Sequence, residues 1–234
     1  MNISAYLYRF LPHQCTLCGD RSSNGPICDH CQADLPHNTH ACRTCALPLT
    51  GGQLVCGDCL AEPKPYQLTF CPLLYQHPVD HLILRLKKHN PRIGANALLP
   101  LLRQSLENHY GSTAPWPDLL VPVPSHRWTR LRRGFNQAHS LAEQLGAAYQ
   151  LPVRPIVRHN GGAKPQKTLD RKTRFANLRN VFDCPTSLQG ETIAVVDDVI
   201  TTGATAILIS RCLLRAGAGQ VHIWALARTP KPGH

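Results

Sequence analysis

The stretch TIAVVDDVITTGAT (192–205) decides the fold. Ile193, Ala194, Val195 and Val196 form an unbroken apolar run, as expected of a parallel strand buried on both faces. Asp197 and Asp198 end that run, and a hydroxyl-rich turn through Thr201, Thr202 and Gly203 opens a helix at Ala204 and Thr205. Open α/β sheets bind ligands at the carboxyl ends of their strands. Amide groups at the start of the helix, with the hydroxyls of Thr201, Thr202 and Thr205, suit a dianionic phosphate. Gly203 permits close backbone approach, and the two carboxylates suit vicinal hydroxyls. The plainer alternative is a strand–turn–helix whose acids only cap the helix.

Outward from this run the pattern repeats. A helix is expected over 204–216, its two charges, Arg211 and Arg215, on one face and Gly217 and Gly219 beyond it; QVHIWALA (220–227) reads as the next strand. Upstream, DLLVPVP (118–124) is a short strand, followed by the basic loop SHRWTRLRRG and a helix marked by Phe135, Ala138, Leu141, Ala142, Leu145 and Ala148. Residues 152–157 read as a further strand, and 159–180 as a long flexible loop, polar and basic. Before these lies a helical segment, 79–110, interrupted at Pro91 and carrying Pro100. Pro63, Pro65 and Pro72 break the chain ahead of it. The expected fold class is α/β, a parallel sheet with helices on both faces.

Eight of the eleven cysteines form four C-x-x-C pairs: Cys15/Cys18, Cys28/Cys31, Cys42/Cys45 and Cys56/Cys59. Two such knuckles complete a tetrahedral Zn2+ site, so two structural zinc ions are expected. Gly19, Gly57, Pro26 and Pro48 suit the knuckle turns. Pairing of neighbours in sequence is favoured, while a cross-braced pairing of first with third and second with fourth is left open by spacing. His13, His30, His37 and His40 are not needed as ligands; Cys71, Cys184 and Cys212 read as small core residues. The expected division is a small zinc-ribbon domain, 1–63, and an α/β domain, 64–234.

The chain has 234 residues and a net charge of +11, unevenly spread. Residues 1–63 hold three Lys/Arg against five Asp/Glu, whereas 126–179 hold twelve Lys/Arg against two acids. Such a field attracts phosphates, of a small ligand or of a nucleic acid. A solvated basic face is the plainer reading. No apolar run approaches the roughly 18 residues of a membrane span. The start, MNISAYLYRFLPHQC, lacks a basic n-region and a small-residue cleavage site. The expectation is a cytoplasmic protein without membrane insertion.

The 193–203 run matches, position by position, the pattern of the 5-phosphoribosyl-1-pyrophosphate (PRPP) motif of type I phosphoribosyltransferases: four apolar residues, two acids, two apolar residues, Thr-Thr-Gly. With Pro122-Val-Pro124, the RRGFNQ run at 132–137, and Gln166, Leu169, Arg174, Asn177, Asn180 and Phe182, the chain resembles the ComF family, including GntX-like proteins, from Cys15 to about Arg228. That resemblance implies an N-terminal double zinc ribbon joined to a phosphoribosyltransferase-like domain, and an association with DNA uptake and competence. It implies PRPP with Mg2+ on Asp197, Asp198, Thr201, Thr202, Gly203, Ala204 and Thr205, and pyrophosphate on the loop of Pro124, Ser125, His126, Arg127 and Arg133. Gln166, Arg171, Lys172 and Arg174 would belong to a flexible cover, and Lys87 lies in a family-like Leu-Lys pair. No residue stands out as a general base, and the acceptor is not legible. The competing reading is a non-catalytic adaptor for competence or recombination. It would grip single-stranded DNA through 126–179, with Trp116 and Trp128 stacking on bases, and dock DNA-uptake or recombination proteins.

Overall fold

A computed structural model describes residues 13–22, 25–86, 91–111, 114–125, 134–160 and 181–231. Among them the elements run β1 (His13–Gln14), β2 (Arg21–Ser22), α1 (Asp29–Ala33), α2 (Gly57–Ala61), β3 (Leu68–Phe70), β4 (Leu73–Leu74), α3 (Val79–Leu86), α4 (Pro91–Tyr110), β5 (Leu119–Pro122), α5 (Gln137–Tyr149), β6 (Arg158–His159), β7 (Phe182–Asp183), β8 (Thr192–Ile200), α6 (Ala204–Arg215) and β9 (Gln220–Arg228). The main sheet has the order β3-β9-β8-β5, with β4 also on β9, and its pairs are parallel.

Alternate side chains of a strand face opposite sides, and here both sides are covered. Leu120, Ala194, Val196, Trp224 and Leu226 pack with Leu82, Leu98, Leu102, Leu106, Leu141 and Leu145 of α3, α4 and α5. Leu119, Val121, Ile193, Val195, Val221 and Ile223 pack with Ile209, Cys212 and Leu213 of α6. The helices therefore lie on both faces, as the apolar run of β8 implies. Pro91 is the first residue of α4, where its missing N–H is harmless, and Pro100 sits inside the same helix. No helix among the described residues is long and apolar enough to cross a membrane.

Two sequence expectations need correction. Residues 152–157 do not form a strand: Val153 alone bridges Leu120 in parallel, with Leu120 N donating to Pro152 O and Arg154 N to Leu120 O. Pro152 and Pro155 have no N–H to extend the ladder. The loop expected over 159–180 begins as paired backbone: β6 pairs antiparallel with β7, and Asn160 N donates to Val181 O. Residues 161–180 lie outside the described residues. The strands β3 and β4 are not among the sequence expectations, because the prolines around them read as breakers. Pro72 does separate the two strands, but both reach β9 in register.

The cysteine-rich segment is stitched to the sheet. His37 bridges Leu73 antiparallel, Asn38 N donates to Pro72 O, and Leu74 N donates to Pro36 O. The linker between the two cysteine clusters thus lies along β4 and covers that edge. Cys15, Ile27 and Leu35 join the first apolar layer and Ala46 the second.

Trp116 also departs from the sequence expectation. Its ring lies 4.9 Å from Tyr110 and 4.3 Å from Tyr149, centroid to centroid, so both neighbours occupy it and it is no free platform for bases. In the same cluster Tyr110 Oη and His222 Nδ1 share a 2.6 Å hydrogen bond. Burial, with nearby His109, pushes the His222 pKa down to about 4. The folded imidazole is neutral, while the unfolded chain takes up a proton near pH 6.5. His222 therefore lowers stability progressively as pH falls from about 6.5 towards 4. Urea unfolding should show a loss of about 2 kcal/mol between pH 7.5 and 5 that is absent from His222→Asn. Equal pH dependence in both proteins would rule out His222 as the source.

Candidate functional site

The end of β8 and the start of α6 build one concave turn. Asp197 and Asp198 are half-buried. Their carboxylates accept from the next backbone amide, Asp197 Oδ1 from Asp198 N and Asp198 Oδ1 from Val199 N, each at 2.8 Å. These bonds fix the carboxylate rotamers at the strand end. Gly203 is the N-cap of α6 with φ 82°. A Cβ there would meet only Tyr66 Oη at 3.7 Å and Ile200 Cγ2 at 4.0 Å. Left-handed backbone, rather than lack of room, is therefore what calls for glycine. Thr202 Oγ1 accepts from Ala204 N at 3.3 Å. Among the described residues nothing accepts from the amides of Thr201, Thr202 or Gly203.

A shallow recess is lined by Val123, Asp197, Thr201, Gly203 and Thr205, with Ala206 and Ile223 also on its lining. The fold brings these predicted residues together. Ala204 begins the helix beside them, whereas Thr202 faces a separate cleft toward the second cysteine cluster. The strand next to β8 supplies the neighbouring wall: Val123 N donates to Val196 O, and Asn136 Nδ2 donates to Val123 O, each at 2.9 Å. Asn136 also caps α5 through Ala138 N. Pro124 and Ser125 line an adjoining recess with His139, Arg158 and His159. The predicted residues His126, Arg127, Arg133, Gln166, Arg171, Lys172 and Arg174, with Lys87 and Trp128, lie outside the described residues.

Arg228, which no sequence motif singles out, closes the turn from behind. It ends β9, is 4% exposed, and donates only to carbonyls among the described residues. Its Nε reaches Cys45 O at 2.9 Å, and its Nη1 reaches Ile200 O at 3.0 Å, Thr229 O at 2.9 Å, and Thr201 O. The one signal in the sequence is a lone cation closing the apolar run QVHIWALA. Tyr66, packed under Gly203, is equally hidden, since nothing in its neighbourhood in the sequence points to the turn.

The eight paired cysteines gather as Cys15, Cys18, Cys28 and Cys31, and as Cys42, Cys45, Cys56 and Cys59, the sulfurs of each set within 4.8 Å of one another. Pairing is between neighbours in sequence. A tetrahedron with Zn–S bonds of 2.3 Å has edges of about 3.8 Å. Cys18 Sγ and Cys28 Sγ lie 3.8 Å apart, and Cys45 Sγ and Cys56 Sγ 3.6 Å. Backbone amides support the thiolates: Cys28 N donates to Cys15 Sγ and Cys56 N to Cys42 Sγ. Burial works to raise Cys15 and Cys42, but amides aimed at their sulfurs outweigh it and bring them to about 6 and about 7. Burial, with the neighbouring sulfurs, pushes Cys31 and Cys45 up to about 12. Without a cation each set would hold few thiolates; four soft donors at tetrahedral spacing fit Zn2+ and leave no open position. Cys71 and Cys212 are buried in the second apolar layer, where burial raises both thiols, and Cys184 packs at its margin.

Residues 6–73 match the double zinc ribbon domain. The chain is 35% identical over 226 residues to the DNA utilization protein YhgH of Salmonella typhi, covering 94% of this chain and 98% of that one. It is 30% identical over 222 residues to competence protein F of Haemophilus influenzae, covering 92% and 90%. The chain belongs to the ComF family. In this ComF-family chain the zinc ribbons and the parallel sheet stand in the order that the family resemblance implies. Among solved structures it is similar to an allosteric regulatory enzyme of purine biosynthesis (TM-score 0.35, 20% identity, 50% of this chain, 23% of that one). It is also similar to a purine phosphoribosyltransferase from Pyrococcus horikoshii (TM-score 0.32, 18% identity, 57% and 80%).

Proposed function

We propose that this protein binds PRPP with Mg2+ at the β8–α6 turn and serves in the handling of DNA. The observation that carries the ligand reading is the left-handed Gly203 at the head of α6, beside a recess lined by Asp197, Thr201 and Thr205. A 5-phosphate would take the outward amides and threonine hydroxyls, and Asp197 and Asp198 would orient the ribose hydroxyls. Bound Mg2+ would offset the charge of the pyrophosphate. Pro124 and Ser125, with His126, Arg127 and Arg133, would hold that group, under a cover carrying Gln166, Arg171, Lys172 and Arg174. A transfer at this site would break the bond from ribose C1 to pyrophosphate through an oxocarbenium-like transition state. The chain's part would be positioning and electrostatics.

The role in DNA handling rests on relatives named for DNA utilization and competence. The chain's own contribution to that reading is the stretch 126–179, with its twelve Lys/Arg against two acids. Arg154 and Arg158 of that stretch are exposed. Single-stranded DNA would bind there rather than on the ribbons, whose eight thiolates on two Zn2+ add negative charge to an already acidic segment. The ribbons would serve as a docking element, with 1–63 and 64–234 as the two divisions of a cytoplasmic protein.

The ligand reading is tested by thermal and urea unfolding with PRPP and Mg2+. At 100 times the dissociation constant the ligand should add about 2.7 kcal/mol. Asp197→Asn with Asp198→Asn should abolish the gain while leaving unliganded stability within about 0.5 kcal/mol. No gain in the wild-type protein refutes PRPP binding. Pyrophosphate release with a panel of acceptors then tests turnover.

A further inference from the structure

We propose that Arg228 is a positioning residue through which the second zinc site holds the phosphate-binding turn open to its ligand. The inference deepens the PRPP reading and rests on it for the ligand, but not for the mechanical link. Arg228 is buried, and its hydrogen bonds among the described residues all go to carbonyl oxygens. One of those oxygens belongs to Cys45, a ligand of the second zinc set; two others belong to Ile200 and Thr201, the residues leading into the turn.

Peptide planarity makes this arrangement directional. In a trans peptide the C=O of one residue and the N–H of the next point in opposite directions. With the carbonyls of Ile200 and Thr201 drawn back onto the guanidinium, the amides of Thr201 and Thr202 must point away from it. Those amides have no acceptor among the described residues. The same cation therefore sets the direction of two donors and places positive charge behind them, both favourable to an anion. A guanidinium suits this task, because its donors lie in one rigid fork. Its anchor at Cys45 is held only as firmly as the knuckle, and that knuckle depends on the metal. The first cysteine set makes no such contact among the described residues: the side-chain hydrogen bond that reaches it from the sheet domain runs from Arg85 of α3 to Thr16 O.

Two comparisons test the link on the full-length zinc-loaded protein, read by amide hydrogen exchange over residues 199–208 and by PRPP affinity in Mg2+. Loss of a charged hydrogen bond changes an equilibrium roughly 10- to 100-fold. Arg228→Gln should speed exchange in the turn and weaken PRPP by that factor, and Arg228→Lys, which keeps the charge but not the fork, should fall between. Cys56→Ser, which disables the second zinc set, should produce the same local loosening. Cys18→Ser, in the first set, should loosen residues 13–35 and leave exchange in the turn at the wild-type rate. Should Arg228→Gln lose protection throughout β8 and β9, the Cys56→Ser and Cys18→Ser pair alone decides. Wild-type exchange in the turn of Cys56→Ser, or equal effects of the two cysteine variants, overturns the proposal. If the wild-type protein fails to bind PRPP while the exchange pattern holds, the ligand reading falls and the link stands.

Discussion

Stripping both zinc ions from the protein should unfold the cysteine-rich segment, 13–62, and expose the β4 edge of the sheet. Each structural site of this kind supplies on the order of 10–16 kcal/mol of apparent binding energy coupled to folding. A whole domain rarely exceeds about 15 kcal/mol, so no other interaction in the segment can compensate. Beyond the sulfurs, the second cluster has only a small apolar nucleus around Leu47. The consequence reaches the sheet because Pro36, His37 and Asn38 hold β4 through backbone bonds. The measurement is zinc release by a strong chelator, followed in parallel by circular dichroism and limited proteolysis. About two zinc ions per chain should be released, with cleavage appearing first within residues 13–62. Cys42→Ser, at a sulfur with no solvent exposure, should lower stability more than Cys18→Ser, at an exposed one. A metal-free protein with unchanged melting temperature would show that the cysteine sets hold nothing the fold requires.

Trp224→Ala should lower stability by about 3–5 kcal/mol. Trp224 sits at the middle of β9, completely buried, with Tyr110 at 5.7 Å and Trp116 at 6.3 Å between ring centroids. Its strand is the one that β3, β4 and β8 all pair with. Removing the indole leaves a cavity where the aromatic cluster, α4 and the central strand meet, and the surrounding rings are too rigid to collapse into it. Urea unfolding gives the difference directly. Trp224→Phe, which keeps a ring, should recover at least half of the loss. A loss below about 1 kcal/mol for the alanine variant would mean that the cluster repacks.

Much of the candidate site is legible in the order of residues alone. The carboxyl end of β8, the glycine turn and the helix start follow from one contiguous stretch, because strand, turn and cap are local conformations dictated by local residue types; that Gly203 is needed for left-handed backbone rather than for close approach is seen only in the structure. The two cysteine sets are nearly as legible, since a C-x-x-C turn brings its own sulfurs together. Legibility stops at contacts between segments far apart in the chain. Trp116 reads as a stacking platform, yet Tyr110 and Tyr149 lie against it. Residues 152–157 read as a strand because their apolar pattern outweighs the prolines that prevent the ladder. The strands β3 and β4 are hidden for the converse reason, their prolines outweighing their apolar pattern.

Sequence by itself determined that this chain would have a parallel sheet, a glycine turn leading from its strand β8 into a helix, and two tetrathiolate sets suited to zinc. Those features arise from interactions among neighbours along the chain, whose geometry the covalent backbone already restricts. Only the tertiary structure decided which cysteine pairs share an ion, that the linker between them closes the sheet edge, and that Arg228 joins the second knuckle to the turn. Such choices depend on burial and on which carbonyls meet a desolvated cation, and neither is set until residues 183 positions apart are packed together.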